Sequence, residues 1–448
     1  MWLLGSFSLL AGAATRMFYR LTVAGFRVPP VGPVLLVANH PNSLIDPAVV
    51  AAVAGRPVRF LARAPLFENP QIGWLVRASG AIPVYRPAES SGAAALNREM
   101  FSAVQAALTG RGEGGESVVG IFPEGLSHDE PALAPLRTGA ARIALGAAEL
   151  SGAAFHVMPI GLVYREKERF RSEALAVIGE PVHWDDLGSR GAADTAAVRE
   201  LTARLDSALR SVTVNLERWE DAKLVEWAEA IHAAEMGVAG DAASRIARVR
   251  QVTETLARLR RDGADGPTGH GRGDAAWTPL AQEISAHGRM LERLGLEPRD
   301  IARSASVGET FRTVFSALTF AGLTSAVVAL AGQIIFWPPY RAAGAIADRT
   351  AERRDTLATH RLLYGVPVFI GWIVLLSVLI AVAGGALAGA LALVLLPLLG
   401  VVALLAGERR SAAWADLWRL ASKHGRRSLL ARLREQQREI AARLQALR

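Results

Sequence analysis

The 448-residue chain contains no cysteine. That excludes disulfides, thiol catalysis and thiolate metal sites, although it does not fix the compartment. Charge is missing from two long stretches. Residues 362–407 carry no Asp, Glu, Lys or Arg, and neither do residues 313–340. About 20 apolar helical residues span a bilayer core, so runs of this length read as membrane segments. No Gly-x-Ser-x-Gly nucleophile elbow occurs, which argues against a serine hydrolase acting on lipids. The interleaved aromatic–basic pattern of nucleic-acid readers is also missing. With a net charge of +8 and a pI near 10.4, the expected partner is an anionic membrane surface and not nucleic acid.

What is present begins with hydrophobicity, at 51% of residues and a mean hydropathy of +0.24, in a chain long enough for two or three domains. The N-terminal "MWLLGSFSLLAGAATR" lacks a basic segment ahead of its apolar stretch. It reads as a retained membrane-surface helix over residues 1–19, with Arg16 and Arg20 at the head groups, and not as a signal peptide. Beyond it, short apolar strand-like runs ("PVLLVAN", "RPVRFLARAPL", "AIPVYR", "ESVVGIFPEG", "HVMPIGLVY") alternate with helical segments ("PAVVAAVAG", "NPQIGWLVRASG", "NREMFSAVQAAL", "TGAARIALGAAEL"). That alternation predicts an α/β domain over residues 20–185. Residues 186–311 read as a charged helical region, with a flexible loop at 262–274, "DGADGPTGHGRGD", because glycine and polar residues dominate there. Val214, Trp219, Leu224 and Trp227 fit amphipathic packing. Membrane segments follow over 312–407. The basic amphipathic tail 408–448 either lies on a membrane, pairs with a partner or packs on its own domain.

The chemistry-bearing residues cluster at predicted strand ends. In "VANHPNSLIDPAVVA" (37–51) His40 and Asp46 share a short turn. A neutral imidazole can take a proton from a hydroxyl, and a carboxylate on its other nitrogen fixes the tautomer and stabilises the imidazolium. Alone, such a pair is more often structural than catalytic. Arg86 ends "GAIPVYR", where a guanidinium suits a phosphate. "IFPEGLSH" (121–128) ends a strand in a Glu–Gly turn, in which glycine permits close backbone approach and Glu124 can accept bonds from hydroxyls. "SHDE" (127–130) crowds His128, Asp129 and Glu130 into one loop, a poor arrangement for one ion, so no metal is expected. "GRGEGGES" (110–117) lacks the Lys-Ser/Thr ending of a phosphate loop and reads as a turn.

Four blocks, "NHPNSLIDP", "GAIPVYR", "FPEGLSH" with "LRTGA" (136–140), and "VMPIGL" (158–162), occur in the order of the four motif blocks of the glycerolipid acyltransferase family, which the chain resembles over about residues 20–185. Most members resemble His-x4-Asp. Here five residues separate His40 from Asp46, the longer spacing of the branch with fungal glycerol-3-phosphate/dihydroxyacetone-phosphate acyltransferases. Residues 212–235 and the late membrane runs resemble that branch too.

The resemblance implies an acyl transfer from an acyl-CoA or acyl carrier protein thioester to a glycerol-phosphate hydroxyl, with no cofactor. His40 is then the general base and Asp46 its orienter. Arg86 holds the acceptor phosphate, with Arg137 as a second phosphate contact or an exposed helix-start arginine. Glu124 and Gly125 position the glycerol part, Pro123 and Ser127 shape the turn, and Pro159 and Gly161 line the wall. The expected acceptor is glycerol 3-phosphate, with 1-acylglycerol 3-phosphate as the alternative. A lipid hydrolase and a non-catalytic membrane scaffold are the remoter readings. The expected architecture is an α/β acyltransferase domain, a mixed sheet flanked by helices, with a helical middle region and a C-terminal membrane-helix region. Membrane lipids are the expected partners and the inner (cytoplasmic) membrane the expected location. Arg349, Arg353, Arg354 and Arg361 precede the run 362–407, and Arg409 and Arg410 follow it. Two helices turning near Gly384-Gly385, with both flanks and the catalytic domain cytoplasmic, satisfy that charge pattern. The run 313–340 is then expected to form a re-entrant or surface hairpin, bent near Gly322 or Gly332 and ended by Pro338-Pro339.

Overall fold

A computed structural model describes residues 2–85, 93–110, 118–237, 242–264, 272–302, 320–351, 353–423 and 426–446. The chain forms two compact units. One comprises Met1–Trp219, Gly240–Arg250 and Glu352–Thr359, the other Glu220–Ala239, Gln251–Ala351 and His360–Arg448.

The first unit runs α1 (Trp2–Phe18), β1 (Arg20–Gly25), β2 (Val34–Ala38), α2 (Ile45–Ala54), β3 (Val58–Arg63), α3 (Pro65–Glu68), α4 (Gly73–Ala78), β4 (Ile82–Val84), α5 (Ala93–Leu108), β5 (Val118–Ile121), α6 (Gly139–Ser151), β6 (His156–Tyr164), β7 (Glu173–Ile178) and α7 (Thr195–Val212). The strands make one seven-stranded sheet in the order β1-β7-β6-β2-β5-β3-β4. β2 to β6 run parallel, whereas β7 is antiparallel to β6 and carries β1 parallel to itself. The sheet is therefore mixed and flanked by helices. All five residues of β2 are buried, as a central strand covered on both faces requires, and that is why its sequence is an unbroken apolar run. β1 and β7 have no counterpart among the strand-like runs read from the sequence. β1 is largely exposed, so burial leaves no alternation in it to read.

Helix α6 is alanine-rich because it is almost wholly buried. Ala140, Ala141, Ile143, Ala144, Leu145 and Ala147 pack with Leu108 of α5, Trp184, and Leu201 and Leu205 of α7. Val198, Leu201, Leu205, Leu209 and Val212 are the buried stripe of α7, at the spacing of one helical face. Each contributes about 1.5–3 kcal/mol over an exposed side chain. Asp194 caps α7 by accepting from the amides of Ala196 and Ala197.

Parallel β2 to β6 place their C-terminal ends on one sheet edge, and the reversed β1 and β7 begin there. Four segments far apart in sequence thus meet: the turn after β2, the loop after β5, the end of β6, and the residues before β1. This is the edge at which open α/β sheets bind ligands.

Helix α1 packs on α2, with Ala52 beside Gly12. Arg16 donates to the carbonyl of Ala52 at 3.1 Å, and Arg20 faces Glu173 at 3.7 Å, so both arginines have protein partners.

The second unit is built from α8 (Asp221–Glu235), α9 (Ala242–Ala264), α10 (Arg272–Leu294), α11 (Pro298–Ala302), α12 (Phe320–Thr350), α13 (Arg354–Gly384), α14 (Ala386–Lys423) and α15 (Arg427–Ala446), with the first turns of α9 and α13 counted in the first unit. The loop expected at 262–274 falls largely on 265–271, outside the described residues, and "GRGEGGES" falls outside them apart from Gly110. Gly288 of α10 leaves room for the Trp227 ring, which a Cβ there would meet at 2.3 Å. The tail helix α15 packs on its own unit: Leu433 joins Leu291, Leu294, Leu296 and Ile301 in one cluster.

The hairpin expected in 313–340 is not formed. Residues 313–319 lie outside the described set, and from Phe320 one helix continues through Pro338 and Pro339 to Thr350. Packing along α14 supports it: a Cβ on Gly332 would lie 2.1 Å from that of Ala403, and one on Gly400 3.2 Å from the Phe336 ring. Helices α13 and α14 are long and apolar enough to cross a membrane by length and composition, with 6% and 17% of their apolar windows buried. They separate at Gly385, whose φ of 88° suits glycine.

Candidate active site

Asp46 lies in the first turn of α2 and is wholly buried. His40 stands two residues beyond β2. The five residues between them form a turn in which Ser43 adopts φ 46°, a left-handed conformation that costs about 1–2 kcal/mol outside glycine. The amide of Ser43 donates to Ser127 Oγ at 3.0 Å, which pins the turn. The result is a direct contact: His40 Nδ1 and Asp46 Oδ2 are 2.8 Å apart. The amide of Asn42 donates to the same oxygen at 2.6 Å, and the hydroxyl of Tyr164 donates to Asp46 Oδ1 at 2.7 Å. With Nδ1–H given to the carboxylate, Nε2 is the basic nitrogen. The imidazole stacks on Phe122, centroids 4.1 Å apart at 13°, and Phe122 stacks on Phe60. Gly120 makes that possible, since a Cβ there would lie 2.4 Å from the Phe60 ring. Rotation of the imidazole is thus restrained by the carboxylate at its edge and the phenyl ring at its face.

Glu124 is buried and serves the turn. Its Oε1 accepts from the amide of His40 at 2.8 Å, and Oε2 accepts from the amide of Ala134 at 2.8 Å and from His128 Nε2. The amide of Glu130 donates to His128 Nδ1 at 3.2 Å, which puts the His128 hydrogen on Nε2. The amide of His128 donates in turn to the carbonyl of His40. Glu124 is accordingly a brace between the two loops, and its carboxylate is not presented as an open acceptor for a hydroxyl. Asp129 pairs with Lys167, and the amine of Lys167 also donates to the carbonyl of Pro41 at 3.0 Å. Among the described residues no three His, Asp or Glu side chains converge as a metal-ligand set.

Gly125 has φ 72°, and a Cβ there would meet Arg137 Nε at 2.5 Å. The amide of Arg137 donates to the carbonyl of the buried Pro123 at 2.8 Å, and its exposed guanidinium rests against the carbonyl of Glu124. The structure therefore brings together His40, Asp46, Pro123, Glu124, Gly125, Ser127 and Arg137. Arg86 lies outside the described residues. Gly161 packs under α7, where a Cβ would lie 1.9 Å from the carbonyl oxygen of Val212, and Pro159 packs on Gly179; both belong to the sheet–helix interface.

Several contributors were not singled out in the sequence. Tyr164 ends "HVMPIGLVY", a polar tip on an apolar strand that could have marked it. Asn42 donates from Nδ2 to the hydroxyl of Tyr19 at 2.9 Å, and Tyr19 donates to the carbonyl of Lys167. Arg353, read from the sequence only as a charge flanking the run 362–407, donates to the carbonyl of Ser127 at 3.1 Å. Burial, then the negative charge of Asp46, pushes the Tyr164 phenol well above its ordinary pKa.

The Acyltransferase family model matches residues 20–163. Glycerol-3-phosphate O-acyltransferase 2 of Saccharomyces cerevisiae is 34% identical over 139 residues, covering 30% of this chain and 18% of that protein. Glycerol-3-phosphate O-acyltransferase 1 of the same yeast is 23% identical over 79% of this chain and 58% of its own length. An uncharacterized acyltransferase of Schizosaccharomyces pombe is 24% identical over 76% of this chain and 63% of its own. The chain thus spans less than two thirds of the length of these relatives. Among solved structures, a 1-acyl-sn-glycerophosphate acyltransferase from Thermotoga maritima matches 47% of this chain and 78% of its own, with a TM-score of 0.33 and 20% identity. Residues 20–163 thus match the Acyltransferase family model, and the chain is similar in sequence to the yeast glycerol-3-phosphate O-acyltransferases.

Proposed function

We propose that this chain is a membrane-bound O-acyltransferase of glycerolipid synthesis that acylates glycerol 3-phosphate from an acyl thioester. The observation that carries the proposal is the His40–Asp46 contact at the C-terminal edge of the parallel strands, inside the matched domain. His40 Nε2 accepts the proton of the acceptor hydroxyl as the oxygen attacks the thioester carbonyl. The tetrahedral intermediate collapses with loss of the thiolate, which takes the proton back from the imidazolium. An ester and a free thiol result, and no enzyme nucleophile is consumed. The exchange of thioester for oxyester is downhill, so positioning and proton removal are what the protein supplies.

Arg86 and Arg137 are assigned to the acceptor phosphate. The glycerol-3-phosphate acceptor draws support from the names of the yeast relatives and the five-residue His–Asp spacing. The exposed apolar surfaces of α13 and α14 support a membrane location, which we assign to the inner membrane with the acyltransferase domain cytoplasmic. The donor is acyl-CoA or acyl carrier protein.

The test is an acceptor panel at fixed acyl-CoA in one detergent: glycerol 3-phosphate, 1-acylglycerol 3-phosphate and glycerol. Highest kcat/KM with glycerol 3-phosphate supports the proposal. A strong preference for the lysophosphatidate overturns the acceptor and leaves the mechanism, and no ester with any acceptor overturns both. Arg86→Ala should raise KM for the phosphorylated acceptor more than KM for the donor.

A further inference from the structure

We infer that Tyr164 is a positioning residue for His40, acting through Asp46: its hydrogen bond fixes the carboxylate and limits how strongly that carboxylate holds the imidazole proton. The inference rests on the reading of His40 as general base.

The geometry is specific. β6 lies beside β2 in the sheet, so the last residue of β6 reaches the turn that follows β2. Asp46 has two oxygens and three donors: His40 Nδ1 and the amide of Asn42 on Oδ2, and the Tyr164 hydroxyl on Oδ1. Tyr164 is the one side chain of the three donors that does not belong to the turn, and it ties Asp46 to the sheet. Its ring packs against that of Tyr19, centroids 5.3 Å apart, and Tyr19 is held by Asn42 Nδ2 and the carbonyl of Lys167. With its phenol pushed well above its ordinary range by burial and by Asp46, Tyr164 stays a donor at every pH at which the protein works.

The charge environment gives the sign. The groups facing the dyad are Tyr164 from β6, Tyr19 from the end of α1, and Glu124, which accepts from the amide of His40 and is itself bonded to His128. Lys167 meets the turn at Pro41 and is paired with Asp129. A donor on Oδ1 draws charge away from the carboxylate and so weakens its hold on an imidazolium at Oδ2. Without that donor the carboxylate is the stronger partner, the imidazolium is favoured, and the pKa of His40 rises. A base with a raised pKa is unprotonated over a narrower range, so activity is lost on the acid side.

The experiment compares wild type with Tyr164→Phe and Tyr19→Phe. Both variants remove a hydroxyl of the same size from the same cluster, and only the first touches Asp46. In Tyr164→Phe the acid limb of kcat/KM should move up by about one pH unit, the scale of one hydrogen bond to a charged group. The plateau kcat should fall roughly tenfold while KM for the acceptor holds. In Tyr19→Phe, which reaches Asp46 only through Asn42 and Tyr164, the acid limb should move by much less than in Tyr164→Phe. The titration of His40, followed by NMR of 15N-histidine-labelled protein and assigned with His40→Ala, should shift upward in parallel. That readout needs no turnover, so it separates the two ideas. Full activity in His40→Ala sinks the base assignment, whereas an inactive His40→Ala with an unmoved His40 titration in Tyr164→Phe sinks only the role of Tyr164. If Tyr164→Phe does not fold, 3-fluorotyrosine placed at position 164 provides the second arm: a stronger donor there should move the acid limb down, and no movement overturns the inference.

Discussion

β2 and the uncharged stretch of α13, residues 362–384, are both strongly apolar, and they meet opposite fates. In β2, Val34, Leu35, Leu36 and Val37 have no exposed surface at all. Across α13 and α14, Val382 is 83% exposed and Leu387 75%, with Ile370, Val378, Leu379, Leu395 and Leu398 all more than half exposed. Apolar surface in water costs roughly 25 cal/mol for each Å², and a patch on this scale is a site of contact with something apolar. Composition alone therefore does not identify a core. The sheet unit covers its apolar strands with helices and gathers its buried polar groups at one edge, where they bond one another. The apolar windows of the two long helices carry their side chains outward and hold few polar ones. Under the proposed function the first arrangement does the chemistry, and the second keeps that chemistry at the membrane that receives the acylated product.

The comparison is broken most severely at the polar edge. Asp46→Asn keeps the shape of the turn but offers His40 the wrong partner, and turnover should fall by about 10⁴-fold, the scale of losing the orienter of a catalytic histidine. A variant with folded circular dichroism and near wild-type kcat would contradict that role. On the apolar side, Val378→Arg should cost about 2.5–3.5 kcal/mol of membrane insertion, visible as reduced carbonate-resistant membrane association, with no unfolding of the sheet unit. If the protein remains fully membrane-bound, that part of α13 is not in lipid. Glu124→Ala strips the brace from the amides of His40 and Ala134 and from His128. It should lower stability by at least about 2 kcal/mol in denaturant unfolding, and it should lower kcat beyond what the stability loss explains. A stable variant whose only defect is a raised acceptor KM would return Glu124 to the substrate.

The smallest effect is expected at Asp194. Its carboxyl is held below its ordinary range by the amide of Ala197 and by Arg190. A carboxyl depressed in the folded state stabilises above its unfolded pKa, and that stabilisation is lost as pH falls through the folded value. Asp194→Ala should therefore show a small drop in thermal midpoint at neutral pH that begins to shrink near about pH 4 and is lost only as pH falls through the depressed folded value. A pH-independent difference would mean that the cap charge is irrelevant.

Much of this was legible in sequence, for local reasons. The His40–Asp46 turn is seven residues of chain, the strand and helix alternation follows from periodicity, and the break at Gly385 lies inside one uncharged run long enough for two helices. What was not legible depends on distance. Tyr164 reaches Asp46 across 118 positions, and only the adjacency of β2 and β6 makes them neighbours. Glu124 reads as a substrate acceptor because its sequence neighbours say nothing of the amides that occupy it. The hairpin expected in 313–340, bent near Gly322 or Gly332 and ended by Pro338-Pro339, does not form: glycine and proline mark only local weakness of a helix, whereas packing of Gly332 and Phe336 on α14 is invisible to a local reading.

The central claim is that His40 is the base that makes this domain an acyltransferase. The direct measurement is ester formation from radiolabelled acyl-CoA and glycerol 3-phosphate by purified full-length protein in detergent, wild type against His40→Ala, with folding of both verified by circular dichroism. Saturable formation of acylglycerol 3-phosphate by the wild type and none above background by the folded variant is the predicted result. Equal rates from the two proteins would contradict it.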